Sequence, residues 1–166
     1  MKVYEVMSSK VVTVSDKSKL KELWKAIFKL HIHALPVVDA KNHLVGIVSE
    51  EDLLRLLYSN YQQYIEDFVT AADFEQMEGK IVEVAKFLAK DVMCKRVIFT
   101  REESPAMRAL SRMLVRNVHQ LPVLDSRDRL VGMITKGDVF DALFRRHLKK
   151  NTIQSLKEPR RRMKKK

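Results

Sequence analysis

Sliding the chain against itself by 86 residues lays residues 6–58 over 92–144 without a gap, with 14 identical positions among 53. Val6/Val92, Met7/Met93, His33/His119, Pro36/Pro122, Asp39/Asp125, Gly46/Gly132 and Asp52/Asp138 are among the identities. A repeat of this kind constrains the fold before any single residue is read. Each copy must build the same supersecondary unit, and each must find cover for an apolar face it cannot bury alone.

The two copies show the same order of elements. A short apolar strand, expected at Val11–Val14 and at Val97–Phe99, precedes Ser18 or Ser104, residue types suited to cap a helix. Pro105 stands where a first helical residue would need no N–H. Leu20, Leu23, Trp24, Ile27 and Phe28, and Ala106, Ala109, Leu110, Met113 and Leu114, then recur at helical spacing, which marks them as core faces. Two β-rich runs follow in each copy, LPVVD with LVGIVS and LPVLD with LVGMIT, separated by turn residues such as Lys41-Asn42 and Arg127-Asp128. Asp39 and Asp125 open these turns in the manner of Asx turns. A second helix is expected to start near Asp52 and Asp138. The unit is therefore β-α-β-β-α, and the fold class is α/β (α+β), with two such units packed about a pseudo-twofold axis. The expected boundaries are a first repeat over 1–59, a helical insertion over 60–88 with Ile81, Val84, Ala85 and Leu88 on one stripe, a second repeat over 89–148, and a basic tail without fixed structure over 149–166.

Composition narrows the function classes. The formal charge is +11, yet residues 145–166 alone carry a net +10, so the folded body is close to neutral and the basicity is a C-terminal feature. The single cysteine, Cys94, excludes an intrachain disulfide framework and fits a reducing compartment. The opening MKVYEVMSSKVVTV has no apolar run of secretory length, and no stretch approaches the ~20 apolar residues of a spanning helix, so a cytoplasmic protein with no membrane span is expected.

With the VM opening of each copy, the LPVVD and LPVLD strands, and above all GIVSEED and GMITKGD in register, the chain resembles the CBS (cystathionine beta-synthase) domain family, whose tandem pairs are called Bateman modules. The resemblance covers nearly the whole chain outside the insertion and the tail. It implies a regulatory module that binds an adenosine ligand, AMP, ADP, ATP or S-adenosylmethionine, and that associates as a homodimer. No other cofactor is implied, and the regulated target is unknown.

The motif itself suits such a ligand. A Ser or Thr at a strand end lies close to an Asp three residues on, at a helix start. A carboxylate there can accept from the two hydroxyls of a ribose, and a hydroxyl beside exposed helix N-terminal amides suits a phosphate. The alternative is that each Asp only caps its helix. By resemblance, Thr135, Lys136 and Asp138 form one site, and Ser49 and Asp52 the other. His33 is implied for the phosphate of the first of these and His119 for that of the second. Ala34 and Gln120, ahead of Pro36 and Pro122, would read the adenine edge, and Val12 and Ile98 would sandwich the ring. Lys136 and Gly137 favour a phosphate where Glu50 and Glu51 repel one, so the Thr135/Asp138 site ranks first.

Other classes are weaker. The chain has no Gly-rich phosphate loop with a Lys, no G-x-S-x-G elbow and no recognisable nucleophile setting, so no enzyme is expected. His31 and His33 form an H-x-H pair without a third ligand of suitable spacing, and no metal site is expected. Arg160, Arg161, Arg162, Lys164, Lys165 and Lys166 could contact RNA, DNA or an acidic protein without sequence preference, which gives a second reading as a nucleic-acid or protein interaction module with no small-molecule ligand.

Overall fold

The computed structural model describes residues 1–57, 79 and 81–148. Most of the expected insertion and the whole basic tail, with Arg160–Arg162 and Lys164–Lys166, lie outside the described residues. The first repeat runs β1 (Val14–Ser15), α1 (Leu20–Leu30), β2 (Ala34–Val38), β3 (Leu44–Ser49) and α2 (Glu50–Leu57). A short helix α3 (Ala89–Val92) leads into the second: β4 (Thr100–Arg101), α4 (Ala106–Val115), β5 (Gln120–Leu124), β6 (Leu130–Thr135) and α5 (Lys136–His147). Each repeat forms a three-stranded sheet in which the first strand pairs parallel to the second and the second antiparallel to the third. The β-α-β-β-α unit holds in both.

Several details differ from the sequence expectation. The first strands pair only at Val14–Ser15 and Thr100–Arg101, some residues later than expected, and the residues just before them join no ladder. Ser18 and Ser104 do not cap. The N-cap positions fall on Lys19 and Pro105, and the Lys19 N–H is instead met by the Glu22 carboxylate at 3.2 Å. Ser18 uses its carbonyl to accept from Ala89 N–H, so it serves the contact between segments rather than its own helix. Trp24 and Leu114 lie outside the core, 40% and 58% exposed, although they share the helical period of buried neighbours. Trp24 packs on Phe28 with ring centroids 4.4 Å apart. Leu88 is not part of a helical stripe, since it bridges to Lys19 just ahead of α3.

The cores show how the repeats join. One cluster holds Ala109, Leu110, Met113, Leu121, Val123, Ile134 and Val139 of the second repeat, and with them Val3 from the start of the chain. The other holds Leu20, Leu23, Ile27, Leu35, Val37, Val48 and Leu53 of the first repeat, and with them Ala89 from the opening of the second. Each opening segment thus crosses to the other repeat. Val3 N–H donates to Ser104 O and Ser8 N–H to Met133 O, while Ala89 N–H donates to Ser18 O and Cys94 N–H to Ile47 O. These pairs exchange under the 86-residue offset, which identifies the pseudo-twofold axis. On the axis itself, His43 bridges to its own counterpart Arg129.

The crossing explains Gly46 and Gly132. A Cβ on Gly46 would lie 2.4 Å from Met93 Sδ, and one on Gly132 would lie 2.6 Å from Met7 Sδ and 3.0 Å from Ser8 O. Neither glycine has a positive φ, so it is close approach of the crossing arm and not backbone conformation that demands the residue.

The hairpin turns are held by the two aspartates. Asp39 Oδ1 accepts from Lys41 and His43 N–H at 2.8 Å each, and Asp125 Oδ1 from Arg127 and Arg129 N–H at 2.8 and 2.9 Å. Asn42 and Asp128 take the left-handed conformation that the turns require, at φ 65° and 62°. The His43 N–H bond is the main cause holding the Asp39 carboxyl below its ordinary range. At Asp125 the strongest influence, burial, acts upward, but the combined hydrogen bonds and charge of Arg129, with the Arg127 N–H, outweigh it and leave the pKa lowered.

Two outcomes follow. Gly132→Ala should lower the melting temperature by an amount equivalent to about 1–3 kcal/mol, the range for overpacking, while Gly79→Ala, with nothing within 4 Å of the added methyl, should not. Because the carboxylates of Asp39 and Asp125 have lowered pKa values in the folded chain, their contribution is complete above the unfolded value of ~3.9 and is lost as pH falls through the lower folded values. Melting curves between about pH 5 and 2 should therefore show a steep decline that Asp39→Asn/Asp125→Asn flattens; an unchanged slope would refute the assignment.

Candidate functional site

The sequence motif G-h-h-[ST]-x-x-D becomes the junction of β3 with α2 and of β6 with α5. Thr135 is the N-cap of α5 and Asp138 its third helical residue. Asp138 N–H donates to Thr135 Oγ1 at 3.0 Å, and Asp138 Oδ2 accepts both from Thr135 N–H and from Thr135 Oγ1, each at 2.8 Å. This is a closed capping box. The first repeat repeats it at Ser49 and Asp52, with 3.1 Å for Asp52 N–H to Ser49 Oγ and 2.8 and 2.7 Å for the bonds to Asp52 Oδ2.

The box limits what each group can still do. The Thr135 hydroxyl gives its only hydrogen to Asp138, so it has none for a phosphate while the box is closed. Lys136 N–H is taken by His119 O at 3.2 Å. The Gly137 N–H and the half-buried Lys136 side chain take part in none of these bonds and are the donors that remain. Only Oδ2 of Asp138 is engaged by the box; Oδ1 has no hydrogen-bond partner among the described residues, and two lone pairs there suit a ribose hydroxyl pair. Capping and ligand acceptance are compatible in one carboxylate.

The two boxes flank the pseudo-twofold axis. Ser49 pairs with Ala34 across β2 and β3, and Thr135 with Gln120 across β5 and β6. The chain of neighbours closes at the axis, where Gln120 Nε2 donates to Ala34 O at 3.2 Å. Just ahead of these residues the His33 and His119 rings face each other with centroids 6.1 Å apart. His33 Nδ1 also lies 3.9 Å from Glu50 Oε2, a contact that inspection of the sequence alone did not suggest.

Other expected residues sit differently. Pro36 and Pro122 are buried in β2 and β5, before the points where β1 and β4 begin to pair, so their missing N–H removes no ladder bond on that side. Ile98 packs against the second core, whereas its counterpart Val12 is 42% exposed. His31 ends α1 in the left-handed conformation at φ 53°, as Asn117 does after α4 at φ 51°, which accounts for it as a helix terminator. Among the described residues no group of three or more His, Cys, Asp or Glu side chains gathers as a metal site, and no helix is long and apolar enough to cross a membrane.

The family model for the CBS domain matches residues 3–59 and again 89–145. The chain belongs to the CBS domain family. A CBS domain-containing protein of Dictyostelium discoideum is 29% identical over 143 residues, spanning 86% of this chain and 91% of that one. The inosine-5'-monophosphate dehydrogenase of Methanocaldococcus jannaschii is 30% identical over 138 residues, which are 83% of this chain but 23% of the dehydrogenase. Among solved structures, CBSX2 in complex with AMP superposes with a TM-score of 0.67 at 23% identity, covering 87% of this chain and 96% of CBSX2. The CBS domain pair of protein MJ0100, in complex with 5'-methylthioadenosine and S-adenosyl-L-methionine, gives 0.66 at 23% identity over 88% of this chain and 98% of that one. This is the fold of a CBS domain pair, with the two motif junctions placed symmetrically about its axis.

Since the Asp138 carboxylate closes the capping box of α5, Asp138→Ala should cost about 1 kcal/mol of unfolding free energy without any ligand, the usual loss for a helix cap, read by denaturant titration. Asp138→Asn, which still accepts through its amide oxygen, should lose less. Equal losses would show that charge and not the box geometry carries the effect.

Proposed function

We propose that the chain is a regulatory module, without catalysis of its own, that binds an adenosine ligand (AMP, ADP, ATP or S-adenosylmethionine) beside the Thr135/Asp138 junction and, less readily, beside Ser49/Asp52. The observation that carries the reading is the closed box with an unengaged Asp138 Oδ1, next to Lys136 and the Gly137 N–H. An acceptor for a ribose and donors for a phosphate stand side by side. Solved CBS pairs of the same fold carry AMP, 5'-methylthioadenosine or S-adenosyl-L-methionine, which supports this class of ligand. Exposed Cys94 fits a reducing, cytoplasmic setting. Phe140 and Phe144 on α5, 48% and 55% exposed, together with Trp24 and Leu114, offer apolar surface for pairing two copies into a homodimer.

In this reading the CBS pair acts by differential stabilisation: a ligand that binds only the folded chain shifts its stability and its surface for a partner. AMP at about 100 times its dissociation constant should raise unfolding free energy by about 2.7 kcal/mol. Asp138→Ala should weaken binding roughly 10- to 100-fold, since it removes charge-assisted bonds of about 1.5–3 kcal/mol each, and so abolish most of that shift. Asp52→Ala should weaken it less. Calorimetric titration with AMP, ATP and S-adenosylmethionine decides the matter. Silence with all three would overturn the proposal, and AMP-induced stabilisation that survives Asp138→Ala but not Asp52→Ala would invert the order of the sites.

A further inference from the structure

The two clefts are built alike but charged in opposite senses, and we infer that they take adenosine ligands of different charge at the 5' position: a phosphorylated nucleotide at Thr135/Asp138, and a neutral or cationic 5' substituent, thioether or sulfonium, at Ser49/Asp52. The inference rests on the binding mode proposed above.

Position by position, the first turn of α2 begins Glu50-Glu51-Asp52 where α5 begins Lys136-Gly137-Asp138. The residue directly after the capping hydroxyl is an anion in one repeat and a cation in the other. Its backbone is fixed identically in both, by Glu50 N–H to His33 O at 3.1 Å and Lys136 N–H to His119 O at 3.2 Å. The side chains therefore start from equivalent points relative to each box.

Glu50 Oε2 lies 3.9 Å from His33 Nδ1, a contact between two exposed side chains. A doubly charged phosphate at the Ser49 junction would meet Glu50 where its counterpart meets Lys136, with no basic side chain in the first turn, and at a separation of about 4–6 Å that carboxylate would weaken binding on the order of tenfold; Glu51, 81% exposed and 3.8 Å from Arg55, adds little. The Glu50 carboxylate favours a sulfonium and is indifferent to a thioether, while the Asp52 box keeps the ribose acceptor of its counterpart. A second asymmetry lies in the strand residues that the proposed binding mode sets against the base: Gln120 Nε2 donates to Ala34 O, and the methyl side chain of Ala34 cannot return the contact. The two clefts thus differ at the base end as well as at the 5' end.

The experiment is titration of the full chain with AMP, 5'-methylthioadenosine and S-adenosylmethionine, singly and with AMP already saturating. The expected result is one AMP per chain, with one 5'-methylthioadenosine or S-adenosylmethionine still binding when AMP is saturating. Glu50→Lys/Glu51→Gly should bring AMP to two per chain and weaken S-adenosylmethionine at least about tenfold. The milder Glu50→Gln/Glu51→Gln should move both in the same direction if the double exchange proves unstable. Two AMP per wild-type chain, or displacement of AMP by the other two ligands one for one, would overturn the inference while leaving the regulatory reading intact. No binding of any of the three would overturn both.

Discussion

The exchange of opening segments between repeats is the contact on which the rest of the molecule depends. Val3 is fully buried in the core of the second repeat and Ala89 in that of the first. Each sheet has only three strands, one of them two residues long, and such a sheet leaves an edge that must be covered. The arms supply that cover through Ser8 against Met133 and Cys94 against Ile47. Because each arm belongs to one repeat and each edge to the other, neither sheet is finished until both are. The registration of the two motif junctions about the axis is a consequence of this reciprocity, and so is the approach of Gln120 to Ala34 at the centre.

The capping boxes tie local helix stability to the two motif junctions. A helix of eight or twelve residues is marginal by itself, and its first turn must find partners for N–H groups that no carbonyl within the helix can reach. The box meets part of that need with a carboxylate whose other oxygen, at Asp138, has no hydrogen-bond partner among the described residues. Helix initiation thus leaves an acceptor oxygen unengaged at Asp138, and capping does not exclude the ligand contact proposed for the same carboxylate.

Much of this was legible in the sequence because the repeat doubled every weak signal. Two copies of LPV and of G-h-h-[ST]-x-x-D, at one offset, located β2, β3, β5, β6 and the starts of α2 and α5, and the turn role of Asp39 and Asp125 was readable from residue type. What was not legible depended on partners far along the chain. Ser18 has the chemistry of a cap, but its carbonyl meets Ala89 and the cap position moves on to Lys19. Trp24 and Leu114 have the period of core residues, yet helical period defines a stripe and not how far round the helix the neighbouring element reaches. Gly46 and Gly132 were visible as motif letters only, since the methionines they admit, Met93 and Met7, come from the opposite repeat.

The crossed arms also have a consequence for how the two halves can differ. Without the connecting chain, the same contacts would describe a domain-swapped dimer of two identical polypeptides, and any side chain placed beside one box would of necessity appear beside the other. Joining the halves makes their association intramolecular and releases them from that identity: position 50 can be an acid while its symmetry mate, position 136, is a base. Covalent tandem linkage is what permits a symmetric scaffold to hold unlike surroundings on its two sides of the axis.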